Sequence, residues 1–207
     1  MTQIPITAGV ARQALKLISH PALPCGIGLE VFVGVQVQPV VGSPSLELQF
    51  ELCGGVDRIL LPAANGTQPA DGLWQHTCAE LFVRTEGNPT YQEFNFSPSG
   101  QWAAYRFSSE RQRDRQAEFD HPALPPTIRV RAAAGSLRIN ILLPLQNLPP
   151  AANDGLLRLG LSMVTERDNG ELAYWALHHP RSDRPDFHHQ DGCVLTLPLL
   201  PSVENLL

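Results

Sequence analysis

The chain reads as an all-β protein: an antiparallel β-sandwich, immunoglobulin-like or jelly-roll-like, of about ten or eleven strands. Short runs in which apolar and polar residues alternate follow one another along most of the sequence, as they do where strands bury one face and wet the other. The runs are punctuated by 19 prolines and 16 glycines spread throughout, which favours turns over long helices. Helical periodicity is scarce, so alternating strand and helix units are not expected.

The elements follow in order. The best helix is Ala8 to Ile18, where Val10, Ala14, Leu15, Leu17 and Ile18 give part of an apolar stripe, within an amino-terminal arm over residues 1–24. Leu29 to Val37 is the first strand. Ser45 to Cys53 alternates without a fault, Leu46, Leu48, Phe50 and Leu52 pointing one way and Glu47, Gln49 and Glu51 the other. Val56 to Leu61, Thr77 to Arg84, Tyr91 to Phe96 and Trp102 to Phe107 come next. Residues 108–126 are polar, charged and end in Pro125-Pro126, and read as a long mobile loop. Thr127 to Leu143 reads as a hairpin turning near Ala134-Gly135. Leu156 to Leu177 reads as another, turning at Asp168-Asn169-Gly170, where Asn-Gly supplies the positive φ such turns require. Gly192 to Leu197 completes the set, and the 207 residues are expected to form a single domain.

Composition narrows the partners. Charged residues make up 17% of the chain, the net charge is −5 and the pI is near 5.8, so there is no basic footprint for nucleic acid or an anionic membrane. The apolar runs fall far short of the ~20 residues that span a bilayer. The first residues lack a basic start followed by an apolar core, which points to a cytoplasmic protein. Cys25, Cys53, Cys78 and Cys193 are widely separated, match no zinc-finger spacing, and read as buried thiols.

The candidate site rests on Tyr91 to Phe107, two alternating runs joined by Ser97-Pro98-Ser99-Gly100. A tight turn centred on Pro98 and Ser99 sets Ser97 opposite Gly100 and pairs Asn95 with Trp102. Tyr91, Glu93, Asn95, Trp102 and Arg106 then share one face, and Phe94, Phe96, Ala103, Tyr105 and Phe107 cover the core. A carboxylate, an amide, a guanidinium and two rings on one face suit a polar molecule with flat apolar patches, such as a sugar. Core packing is the competing role for Trp74 and Trp175, as ordinary surface decoration is for the charged set.

Other chemistry is weaker. His178-His179 and His188-His189, with Asp183, Asp186 and Asp191 nearby, raise a divalent metal as an alternative, but neighbouring histidines on a strand point to opposite faces and no metal site is assigned. No nucleophile elbow, phosphate-binding loop or metalloprotease motif is present, and the chain reads as non-catalytic. Glu80 and Glu93 suit a glycosidase acid–base pair in type, but nothing in the sequence fixes their separation.

Asp71 to Phe82, Tyr91 to Tyr105, Tyr174 to Pro180 and Pro185 to His189, with the Ser19-His20-Pro21 opening, resemble the DOMON-like domains, a superfamily that includes the family 9 carbohydrate-binding modules. The resemblance implies a β-sandwich that binds a small ligand, sugar in some relatives and haem in others. It implies a sugar clamped between Trp74 and Trp175, with Glu80 as the acidic partner of the first ring and Arg106 as a basic partner. Leu172 departs from the amide residue such modules carry before the second ring. For haem the implied ligands are a Met and a His, and Met163 and His178 are poorly placed for that role in sequence order. The expected ligand-binding set is thus Trp74, Glu80, Tyr91, Glu93, Asn95, Trp102, Arg106, Trp175 and His178.

Overall fold

The computed structural model describes residues 4–5, 14–38, 44–151 and 155–198, and almost all of its regular structure is strand. In chain order the strands are β1 (Ile4–Pro5), β2 (Ala14–Ser19), β3 (Glu30–Gln38), β4 (Ser45–Cys53), β5 (Cys78–Thr85), β6 (Tyr91–Phe96) and β7 (Trp102–Ser109). They continue with β8 (Gln112–Arg113), β9 (Thr127–Ala133), β10 (Ser136–Pro144), β11 (Leu156–Glu166), β12 (Leu172–Ala176) and β13 (Leu195–Pro198). One layer runs β8-β7-β6-β5-β11-β12 and the other β2-β3-β4-β10-β9. They are continuous at one side, where Trp175 and Ala176 pair with Ser19 and Ile18. β13 pairs antiparallel with the start of β11, and β1 adds to β13 in parallel.

The core lies between the layers. Leu46, Leu48, Phe50 and Leu52 of β4 are fully buried, as are Leu137, Ile139 and Ile141 of β10. They face Ala79, Leu81 and Val83 of β5, Phe94 and Phe96 of β6, and Leu157, Leu159 and Met163 of β11, all in one apolar cluster. The strict alternation read in β4 is the burial pattern observed there.

β5 and β6 are buried on both faces. The outer face is covered by the segment after β7 and by the loop from Pro185 to Cys193, which enclose a second cluster of Phe82, Tyr91, Ala103, Tyr105, Phe107 and Cys193 with Leu73 and Phe187 packed on it. Gly160 of β11 permits the approach of that loop, because a Cβ there would lie 3.2 Å from the Cys193 sulfur and 3.3 Å from the Gly192 carbonyl.

Three elements differ from expectation. Ala14–Ser19 is a strand, not the end of a helix: pairing with β3 and β12 satisfies its backbone and outweighs a partial apolar stripe. Residues 8–13 of that expected helix lie outside the described residues. Val56 to Leu61 forms a single 3-10 turn over Val56–Arg58 and an isolated bridge from Ile59 to Arg167 in place of a strand. Residues 108–126 carry the end of β7, β8 and a short helix, α1 (Arg115–Asp120), capped by the Asp114 carboxylate accepting from the Ala117 N–H at 2.9 Å. No helix of the described residues is long and apolar enough to cross a membrane.

Candidate functional site

The hairpin that carries the expected site turns one residue later than its sequence suggests. Ser97 faces Gln101, whose carbonyl accepts from the Ser97 N–H at 2.9 Å, and Gly100 occupies the left-handed region at φ 94°. Three residues, Pro98, Ser99 and Gly100, therefore form the loop, as in hairpins that close a type I turn with a left-handed glycine. The extra residue shifts the pairing, so Phe96 meets Trp102, Glu93 meets Tyr105 and Tyr91 meets Phe107. Every side chain of β7 is thereby exchanged between faces.

The corrections follow directly. Trp102 turns into the core side, buried, with its indole N–H donating to the Thr67 carbonyl at 2.9 Å. Arg106 leaves the Glu93 face and lines a different groove beside His121 and Asn147. Tyr105 and Phe107, expected in the core, join Tyr91, Glu93 and Asn95 on the outer face. Trp175 also points inward: it is 4% exposed, belongs to the main core, and donates to the Thr165 hydroxyl at 3.0 Å. The neighbouring Tyr174 is the residue of β12 that reaches the outer face, since alternation allows only one of the two there. His178 is half-buried just beyond β12 and does not line the cavity described next.

The outer face holds a cavity of about 530 Å³. Its floor is Glu80, Phe82, Glu93, Tyr105 and Phe107, from β5, β6 and β7. Trp74, on the 3-10 turn Leu73–Gln75, stands at the mouth with 47% of its surface exposed, the one tryptophan not claimed by the core. Tyr174, Pro185 and Phe187 also line it, and Arg111 and Arg113 enter from the segment after β7. The structure thus brings Trp74, Glu80 and Glu93 together at the cavity. Tyr91 and Asn95 lie on the same sheet face, behind its lining.

The polar groups here are sheltered and organised. Glu80 and Glu93 are 3% and 5% exposed. Glu80 accepts from the Ser162 hydroxyl at 3.0 Å and Glu93 from the Asn95 amide at 2.9 Å. Burial, reinforced by the charge of Glu93, pushes the Glu80 carboxyl well above the usual carboxylate range. Burial also raises Glu93 to about 7, against the opposing pull of the Asn95 bond and of Arg113 and Arg111. His188 Nε2 lies 3.7 Å from Glu93, and burial, with Arg111, lowers that imidazole to about 4.

A chain of contacts fixes His188. The Arg111 amide donates to the Tyr91 oxygen at 3.0 Å, and the Tyr91 hydroxyl lies 2.8 Å from His188 Nδ1. Donation of the hydroxyl proton to Nδ1 leaves the ring's own proton on Nε2, facing Glu93. Arg111 adopts a left-handed φ of 58°, a strained conformation for a non-glycine residue, while its guanidinium bonds the buried Asp186 at 2.7 Å. Arg84 stacks on Tyr91 at 3.8 Å and Arg113 on Tyr105 at 4.3 Å. Arg111, Arg113, Phe187 and His188 were not in the expected set; their segments look like loops in sequence, and no local pattern places them over the sheet.

Haem ligation by a Met and a His does not fit this arrangement, because Met163 is fully buried in the main core, on the opposite face of β11 from the cavity. Among the described residues, no cluster of three or more His, Cys, Asp or Glu side chains gathers where it could hold a metal ion.

No protein-family model and no curated protein matches the chain. Solved structures do. A candidate carbohydrate-binding protein from Bacteroides uniformis aligns over 95% of this chain and 97% of its own, with TM-score 0.57 and 14% identity. A family 9 carbohydrate-binding module from Caldicellulosiruptor kristjanssonii, in complex with cellotriose, aligns over 99% of this chain and 96% of its own, with TM-score 0.55 and 7% identity. At such identities the shared property is the fold, a β-sandwich.

Proposed function

We propose that this protein is a non-catalytic carbohydrate-binding domain of the DOMON-like, family 9 type, and that its site is the cavity between Trp74 and the Glu80–Glu93 floor. The observation that carries the reading is the half-exposed Trp74 ring at the mouth of a cavity whose floor sets two buried carboxyl groups among aromatic rings. A sugar offers C–H faces that stack on such a ring and hydroxyls that reach the carboxyl groups beneath. The fold shared with carbohydrate-binding structures supports the same reading. Tyr174 and Phe187 replace Trp175 as the second apolar wall.

Titration calorimetry against mono- and oligosaccharides tests this. Trp74→Ala is expected to weaken binding at least about fivefold, since a stacked ring contributes on the order of 1–3 kcal/mol. Its melting temperature should match the wild type, because an exposed ring contributes little to the core. Saccharide affinity unchanged in Trp74→Ala would remove the site from this cavity.

A further inference from the structure

The two floor carboxyls are unusual in what they lack. They lie almost fully buried on adjacent strands at the cavity floor, and among the described residues neither is ion-paired with a guanidinium or ammonium group, although Arg111 and Arg113 act on Glu93 from a distance. Glu80 has a hydroxyl partner, Ser162, and Glu93 an amide partner, Asn95. The guanidinium groups that line the cavity have other acids: Arg111 bonds Asp186 at 2.7 Å and Arg113 bonds Glu118 at 2.9 Å. His188, the nearest base to Glu93, is neutral through the physiological range. Beside them the side-chain amide oxygen of Asn95, Oδ1, is buried with no hydrogen-bond partner among the described residues.

A neutral ligand would leave this imbalance in place. Burial favours the neutral form of both acids, and ionising either beneath a neutral ligand would cost several kcal/mol per group that sugar hydroxyls offset only in part. A cation from the ligand would offset both acids at once. An ammonium group brings three N–H donors, enough to reach two carboxyl groups. The aromatic lining above suits a cation too.

We infer that the part of the ligand reaching the Glu80–Glu93 floor is a protonated amine, so that the preferred saccharide is an amino sugar with its nitrogen free. The inference rests on the carbohydrate reading for the ring and on the acid pair for the amine, and the two are separable by experiment. Calorimetry at neutral pH compares three disaccharides on the full chain: glucosamine disaccharide, its N-acetylated form, and cellobiose, which carries hydroxyls in place of the amines. The expected result is at least tenfold tighter binding of the free amine than of either other sugar. Glu80→Gln and Glu93→Gln should each collapse that ratio toward one. Both are close isosteres, and their melting curves establish that they fold. Cellobiose binding as tightly as the amine would overturn the inference and leave the carbohydrate reading standing. Binding of 1,4-diaminobutane with no response to any of the sugars would support the acid pair as an amine site and overturn the carbohydrate reading. No response to the sugars or the diamine would overturn both.

Discussion

Glu93 and His188 face each other at 3.7 Å, and burial moves each toward its neutral form. Their effects on stability have opposite signs. Glu93 is raised from 4.5 to about 7, so between those values the folded chain holds a proton that the unfolded chain has released. Its contribution to stability is fully present below pH 4.5 and is lost as pH rises to about 7, by at most about 3 kcal/mol. His188 is lowered from 6.5 to about 4, so there the unfolded chain holds the extra proton. That contribution is present above pH 6.5 and is lost as pH falls toward 4, by a similar amount. In the wild type the two slopes largely offset each other between pH 4.5 and 6.5. Substitution separates them. Relative to the wild type, Glu93→Gln should become progressively more stable from pH 5 to 7, and His188→Gln progressively less so. Urea denaturation at pH 5, 6 and 7 reads both differences; parallel profiles for the wild type and both variants would mean that neither group is held neutral by burial.

At the scale of the element, the hairpin of β6 and β7 depends on Gly100. Its φ of 94° is costly for any residue with a Cβ, and a Cβ there would sit 2.6 Å from the Gly66 carbonyl oxygen. Gly100→Ala should therefore destabilise the protein by at least about 1–3 kcal/mol in chemical denaturation. A loss below a few tenths of a kcal/mol would mean the loop relaxes into the shorter turn. The short helix α1 has a different role. Glu118, within it, holds Arg113 against Tyr105 at the cavity, and the Asp114 cap starts the helix. Asp114→Ala should cost about 1 kcal/mol of stability and a few-fold in ligand affinity. Calorimetry that finds full affinity in this variant would uncouple α1 from the site. These elements also show what was legible. Alternation within one strand is fixed by backbone geometry, so Tyr91, Glu93 and Asn95 could be placed together from sequence. Parity across the turn depends on whether two or three residues close it, and the sequence Ser-Pro-Ser-Gly permits both. Trp102, Tyr105, Arg106 and Phe107 changed faces for that reason alone. Segment 108–126 was opaque because its order comes from side-chain contacts such as Arg113 with Glu118 and Arg111 with the distant Asp186.

Across the whole molecule, one sheet serves two interiors. The inner faces of β5, β6 and β7 help complete the sandwich core, and the outer faces of the same strands furnish the cavity floor. The sandwich was legible because burying one face of each strand imposes alternation, but β5 and β6 are buried twice and their sequences do not say which side meets a ligand. The two tryptophans implied as a pair make the division testable. Trp175 sits where β12 joins the layers, its indole bonded to the fully buried Thr165, so it belongs to the fold. Trp175→Ala should cost about 3–5 kcal/mol, as expected for a large core side chain. Trp175→Phe keeps most of the apolar volume but leaves the Thr165 hydroxyl without the indole N–H, which should cost about 1–3 kcal/mol while ligand affinity stays within about twofold of the wild type. Trp74→Ala should behave in the reverse way, with stability kept and affinity lost. Denaturation and calorimetry on the same two variants decide the matter: a Trp175→Phe protein that folds but no longer binds would show that the two faces of the sheet are not independent.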